Sequence, residues 1–237
     1  MMFKEALNWY KGVKVLSKAY DDNERVEQLE SLVKIIGDFP FDSVYCIETG
    51  ASRNWDDGCV GAFFAKLCQF TNGEFHSVDI DDQIIEESKM LYEELGVPVN
   101  HHMQDSVKFL KETNIIPNLV HLDSWDLDLR NPFPSALHGW REFIAIEDKM
   151  PVGSILIVDD NFFAAELPTR TWVTWYDDRS SAISGEGSEK IYIDYPIIGK
   201  GSNIWHFVES GESNWKILSE NIPGPNVKLV YQKVKSS

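Results

Sequence analysis

The residues that most strongly suggest chemistry are Asp123, Asp159, Asp160 and Asn161. Each stands at the end of a short apolar run: Leu119-Val120-His121-Leu122 leads into Asp123, and Ile155-Leu156-Ile157-Val158 leads into Asp159-Asp160-Asn161. Hard carboxylate and amide oxygens at the ends of neighbouring strands suit Mg²⁺, Mn²⁺ or Ca²⁺. Two further runs end the same way, Val44-Tyr45-Cys46-Ile47-Glu48 and Ser77-Val78-Asp79. Acids gathered along one sheet edge are costly unless a cation or hydrogen-bond donors sit among them.

Other segments offer places for a small molecule. In Glu48-Thr49-Gly50-Ala51-Ser52 an acid is followed by a tight turn, and Gly50 lets the backbone approach a ligand closely. The dinucleotide fingerprint G-x-G-x-x-G is absent, the next glycine being Gly58. Asp79 can accept hydrogen bonds from ribose hydroxyls, or it caps the next helix, a role Asp81 and Asp82 could also fill. Asp105 and Ser106 either cap the helix they precede or contact a purine ring. Asp126-Leu127-Asp128 is a D-x-D, a match expected by chance in an acidic chain. His101, His102 and His121 lie near strand ends and His206 lies in a strand-like run, with no H-x-x-x-H or H-E-x-x-H spacing to suggest zinc.

The elements that must position these residues follow from hydrophobic periodicity. Val26, Leu29, Leu32, Val33 and Ile36 recur at helical spacing, and Gly37-Asp38-Phe39-Pro40 stops that helix. Residues 1–40 therefore read as a helical cap, and 41–237 as the main domain. From residue 43 strands alternate with helices: strands at 43–48, 74–79, 97–102, 118–123 and 154–159, helices at 60–70, 82–96, 106–113 and 135–149. This alternation predicts an α/β fold, Rossmann-like and doubly wound, with a mostly parallel sheet and helices on both faces. Residues 162–200 read as an insertion whose Trp172, Trp175 and Tyr176 either wall a ligand or fill the core of a lid, and 180–188, rich in Ser and Gly, as a loop. Further strands are expected at 191–195, 204–208, 215–219 and 227–234.

Composition narrows the function classes. A formal net charge of -16 opposes nucleic acid and anionic membranes. No apolar run approaches the roughly 20 residues of a membrane span, and the amino terminus lacks the apolar stretch of a signal peptide. Three cysteines in core-like runs point to buried thiols and a cytoplasmic setting. The aromatic amino-terminal helix could pair with a copy of itself in a homo-oligomer.

Taken in order, Glu48-Thr49-Gly50-Ala51-Ser52, Ser77-Val78-Asp79, Asp105-Ser106, His121-Leu122-Asp123-Ser124-Trp125-Asp126 and Val158-Asp159-Asp160-Asn161 resemble the motifs of class I S-adenosylmethionine-dependent methyltransferases. The resemblance covers roughly residues 40–165. The tail, with Pro196-Ile197-Ile198-Gly199-Lys200-Gly201 and the last two strands, is similar to the closing antiparallel hairpin of that class. This implies a seven-stranded sheet with one antiparallel strand. Within the class the acids resemble metal-dependent O-methyltransferases. Asp123 with Trp125, and Asp160-Asn161, match the catechol type, while Asp159-Asp160 matches the bacterial sugar type. Asp126 stands where the catechol type has lysine, and Trp125 where the sugar type has an acid.

The resemblance implies that Glu48, Gly50 and Ser52 hold the methionine end of S-adenosylmethionine, Asp79 the ribose, and Asp105 with Ser106 the adenine. Asp123, Asp159, Asp160 and Asn161 would bind Mg²⁺ or a similar ion. Asp126 is the first candidate for general base, with His121 and His206 behind it. The expected reaction is metal-assisted methylation of a hydroxyl on a sugar or small metabolite. A metal-dependent nucleotide-sugar glycosyltransferase and a non-catalytic cofactor-binding module are the competing readings.

Overall fold

The computed structural model describes residues 2–17, 23–54, 59–128, 131–163, 171–176, 188–193, 197–219 and 227–236. The chain opens with α1 (Met2–Ser17) and α2 (Asn23–Ile36). Then come β1 (Tyr45–Thr49), α3 (Val60–Phe70), β2 (Glu74–Asp79), α4 (Asp82–Leu95), β3 (Asn100–Met103), α5 (Ser106–Glu112), β4 (Leu119–Leu122), α6 (Phe133–Ile146) and β5 (Ile155–Phe163). The remainder holds β6 (Thr171–Tyr176), β7 (Ser188–Ile193), β8 (Ile197–Gly199), α7 (Ser202–Glu209), β9 (Trp215–Ser219) and β10 (Val227–Lys233).

The main sheet runs β3-β2-β1-β4-β5-β10-β9, with short β8 pairing the far end of β5. β1 to β5 are parallel, and β10 is antiparallel to both its neighbours. The seven-stranded path with one reversed strand thus forms as expected, and β8 adds an eighth. Residues 171–176 and 188–193 pair as a separate two-stranded sheet whose side chains, including Trp172, Trp175 and Tyr176, lie outside the described part, as do residues 180–187 of the expected loop, while Ser188 begins β7.

Strand alternation splits the core between the two faces. Cys46, Phe75, Leu119, Ile155 and Ile157 pack with α3 and with Ala6, Leu7, Tyr10, Leu29 and Leu32 of the amino-terminal helices. Ile47, Val78, Val120, Leu122, Leu156 and Val158 pack on the other face with Phe109, Phe143 and Ile204 from α5, α6 and α7. The amino-terminal helices therefore share a core with the sheet. Cys46, Cys59 and Cys68 are free, buried thiols. No helix among the described residues is long and apolar enough to cross a membrane.

One segment differs in kind from its expectation. Residues 204–208 form part of helix α7 instead of a strand. Ile204 and Val208, four apart, are its buried residues, which is helical spacing read over too short a window.

Candidate functional site

A cavity of about 690 Å³ opens at the carboxyl ends of β1, β2, β4 and β5. It lies where strand order reverses between β1 and β4, the place where open α/β sheets bind ligands. The loop Gly50-Ala51-Ser52, Asp79, Asp105, Ser106, Asp123, Asp126, Asp159 and Asp160 all line it. Arg25 from α2 and Arg53 line it as well, so the acid rim is not without cations.

The loop after β1 is held by its neighbours. Gly50 has φ +83, and its N–H donates to the Val78 carbonyl at 2.9 Å. A Cβ there would lie 2.5 Å from the Asp123 carbonyl oxygen, so only glycine lets this loop cross the end of β4. The Ala51 N–H donates to Asp79 Oδ2 at 3.0 Å, and the Asp81 N–H to Asp79 Oδ1 at 3.0 Å. Asp79 thereby ties two loops together and keeps lone pairs for a ligand. Asp81, not Asp79, caps α4, accepting from the Gln83 and Ile84 N–H groups.

Asp105 is the N-cap of α5, accepting from the Lys108 N–H at 2.8 Å, and it also faces the cavity. The two roles separate by substitution. Asp105→Asn should keep the cap and leave the melting temperature nearly unchanged, whereas Asp105→Ala should cost about 1 kcal/mol, read by urea denaturation. Weaker binding of the expected S-adenosylmethionine by Asp105→Asn, with stability unchanged, would then report contact with the ligand.

Beside Asp105, Ser106 Oγ lies 3.0 Å from His138 Nε2, which lies 3.5 Å from Glu142 Oε1. Ser124 Oγ donates to the same Glu142 oxygen at 2.6 Å. His138 also packs against Trp125, with ring centroids 5.2 Å apart. Trp125 (φ 64) and Asp160 (φ 53) are two of the four described non-glycine residues with positive φ, and both line this cavity. Such strain concentrates at functional sites.

Behind the cavity runs a buried polar chain. His121 Nδ1 lies 3.3 Å from Glu48 Oε1, and His121 Nε2 lies 3.8 Å from Asp159 Oδ2, too long for a direct hydrogen bond. Lys228 of β10 donates to Asp159 Oδ2, reaching it from a register irregularity between Val227 and Leu229. Burial would raise the Asp159 carboxyl, but the Lys228 ammonium, together with His121 and Arg25, outweighs burial and holds it well below the usual carboxylate range. Burial pushes Glu48 up, with His121 offsetting part of the rise. Burial alone would lower His121, yet the Asp159 and Glu48 carboxylates outweigh it and raise its pKa. Glu48 and His121 are fully buried and do not line the cavity. Glu48 thus stands behind the loop expected to hold the methionine end, and His121 is not placed to take a proton from a ligand.

Asp123 and Asp160 do converge, but on a cation supplied by the chain. Lys200 Nζ lies 2.7 Å from Asp123 Oδ1, 3.0 Å from the Asp123 carbonyl and 2.8 Å from Asp160 Oδ2. Burial works against the charge on Lys200, yet Asp123 and Asp160 outweigh it and hold the ammonium well above the ordinary lysine range. Burial raises the Asp160 carboxyl, and Lys200 offsets part of this. Asn161 turns inward: its Oδ1 accepts from the Gly201 N–H at 2.7 Å, and its Nδ2 donates to the Val158 and Asp159 carbonyls.

The expected Mg²⁺ set does not fit this arrangement. Mg²⁺ demands near-octahedral oxygen ligands. Of the four expected ligands, Asp123 and Asp160 share the Lys200 ammonium, Asp159 pairs with Lys228, and Asn161 serves the backbone. His121, Asp123 and Asp159 also bring ligand atoms within 4.8 Å of one another, but both carboxylates in that trio already hold a lysine.

The other expected site residues divide plainly. Asp126 is exposed at the cavity rim, and Ser52 lines the cavity. His206 is exposed on α7 and is not among the cavity residues, because its segment is helical. Sequence reasoning missed Lys200, Lys228, His138 and Glu142. A lysine between two glycines (Gly199, Gly201) and a lysine inside the apolar run 227–231 were the available signals.

No protein-family model and no curated protein matches the chain. Solved structures do. A Podospora anserina methyltransferase with S-adenosylhomocysteine bound is similar at a TM-score of 0.54 and 12% identity, covering 99% of this chain and 88% of that one. An rRNA methylase from Streptococcus thermophilus is similar at 0.51 and 10%, covering 88% and 97%. A proposed methyltransferase from Streptococcus mutans, in complex with S-adenosylhomocysteine, is similar at 0.52 and 10%, covering 87% and 98%. The fold is therefore the mixed, Rossmann-like α/β sheet seen in these methyltransferases.

Proposed function

We propose that the chain is an S-adenosylmethionine-dependent methyltransferase acting on a hydroxyl of a small molecule, such as a sugar or other metabolite. The observation that carries this reading is the arrangement around one cavity of the Gly50–Ser52 loop, Asp79, Asp105 with Ser106, and the acids ending β4 and β5. Asp79 takes the ribose, and Gln104, Asp105 and Ser106 take the adenine edge. The amino-acid end lies toward Ser52, Arg53 and the start of α3. The sulfonium then faces the acids, whose negative charge favours a cationic donor.

In the transfer the sulfur–methyl bond breaks as an oxygen–methyl bond forms, leaving a neutral thioether and releasing the hydroxyl proton. Asp126, at the rim, receives that proton, a contribution of roughly 10²–10⁴-fold for a well-placed base. The rest of the work is positioning donor and acceptor in line. No divalent ion enters this scheme, since the acids expected to bind one are committed to lysines.

Calorimetry with S-adenosylhomocysteine tests the cofactor reading. The wild-type chain should bind, and Asp79→Ala should bind about 10- to 100-fold more weakly, the effect of losing hydrogen bonds to a charged group. Preference for a nucleotide sugar, which Arg25 and Arg53 could serve, would instead indicate a glycosyltransferase. Tight binding without release of S-adenosylhomocysteine across a broad hydroxyl panel would indicate a binding module. An RNA acceptor is the second reading, favoured by the fold likeness to an rRNA methylase. The net charge of -16 and the acids at the cavity weigh against it, because phosphates repel both. RNA oligonucleotides belong in the same assay, and methylation of RNA alone would overturn the small-molecule assignment.

A further inference from the structure

We infer that Lys200 stands where a dication would otherwise be needed: its ammonium is the permanent counter-ion of Asp123 and Asp160, positions both carboxylates at the cavity, and makes the site independent of divalent metal. The positioning of these acids for an acceptor rests on the methyl-transfer reading above. The counter-ion role does not.

Geometry supports the inference on three counts. A lysine ammonium has three donors and no acceptor. Lys200 has three oxygens within 3.0 Å, two from Asp123 and one from Asp160. The side chain is buried, while the carboxylates it joins are partly open, at 35% and 24% exposure. The charged head is thus sealed behind the acids, leaving one oxygen of each carboxylate unclaimed by Lys200.

The segment that carries Lys200 is locked against the strand it serves. Asn161 and Gly199 face each other in the β5–β8 pairing. Gly199 has φ +127, and a Cβ there would lie 2.1 Å from the Asp160 carbonyl oxygen. The Lys200 N–H donates to that same carbonyl, and the Gly201 N–H to Asn161 Oδ1. Asn161, one of the expected metal ligands, is thus a clamp on the lysine segment. The end of β5 grips the backbone of residues 199–201 while their lysine neutralises the end of β4.

A dication would have to displace a buried ammonium that two carboxylates hold. The trade is unfavourable, because the displaced charge has no other described carboxylate within ion-pair distance. One ammonium against two carboxylates leaves this trio with one net negative charge. That favours a cationic donor without the like-charge repulsion that a bound dication would impose on a sulfonium.

Mn²⁺ titration followed by electron paramagnetic resonance tests this with no acceptor in hand. The wild-type chain should take up no Mn²⁺ at this site at millimolar concentration. Lys200→Met should create one Mn²⁺ site at least about tenfold tighter, and adding Asp160→Asn should remove it again. A merely structural lysine would give no such gain. Wild-type uptake of one Mn²⁺ that Asp123→Asn abolishes would overturn the inference, as would a folded Lys200→Met chain that takes up none. Should Lys200→Met not fold, the wild-type and Asp123→Asn titrations still decide it. S-adenosylhomocysteine calorimetry on the same samples keeps the readings apart. Loss of cofactor binding alongside the expected Mn²⁺ pattern removes the methyltransferase and leaves the counter-ion in place.

Discussion

Lys228→Met should destabilise the fold by about 3–5 kcal/mol at pH 7, the cost of stranding a buried charge. Lys228 is 1% exposed and donates to Asp159, itself 4% exposed. The methionine fills similar space, so the loss is electrostatic. The sign with pH follows from Asp159. In the wild type its pKa is depressed, so its contribution is present above the ordinary carboxylate value, about 3.9, and is lost as pH falls through the folded value. Without Lys228, burial is opposed only by His121 and Arg25, and the folded pKa rises from its depressed value. The variant therefore gains less stability than the wild type as pH climbs out of the acid range. The gap between the two proteins should therefore be widest near neutrality and shrink toward pH 4. Urea denaturation at pH 7 and pH 5 measures it. The double variant Lys228→Met/Asp159→Asn should recover most of the loss, since removing both charges leaves none stranded. A pH-independent gap would mean that packing, not charge, is what Lys228 supplies.

Gly50→Val should both weaken the fold and abolish cofactor binding. A β-branched residue at φ +83 costs about 1–2 kcal/mol, and its Cβ would sit 2.5 Å from the Asp123 carbonyl oxygen. Relieving that overlap adds roughly 1–3 kcal/mol. The loop cannot yield freely, because the Gly50 and Ala51 N–H groups are tied to β2 and to Asp79. The strain is thus passed to the cavity wall. The expected result is a lower urea midpoint and no detectable heat with S-adenosylhomocysteine. Gly50→Ala should show the same effects, smaller. Normal cofactor binding by a folded Gly50→Val chain would remove this loop from the proposed cofactor seat.

The two buried lysines show what kind of information was missing from the sequence. Asp123 and Asp159-Asp160-Asn161 end apolar strands, so their gathering at one edge was legible from the pattern of burial. That some cation must answer them was also legible, from electrostatics alone. The identity of the cation was not. Lys200 lies 77 residues from Asp123 and Lys228 lies 69 from Asp159, and no local periodicity links either pair. Both come from the irregular carboxyl-terminal part, where a bulged antiparallel strand and a three-residue strand reach back across β5. The strand expected around His206 is a helix for a simpler reason. Ile204 and Val208 fit helical spacing, and the segment is too short for periodicity to arbitrate.

By itself the sequence determined the doubly wound sheet, the acid at the end of each central strand and the glycine turn after the first, because alternation and burial are local properties of a chain. Only the tertiary structure decided which charge each acid meets. It sent Glu48 and His121 behind the cavity wall, turned Asn161 onto the backbone of Gly201, and set the Lys200 ammonium between Asp123 and Asp160. The physical reason is that a buried charge is settled by whatever reaches it through space, and strand pairing brought two lysines there.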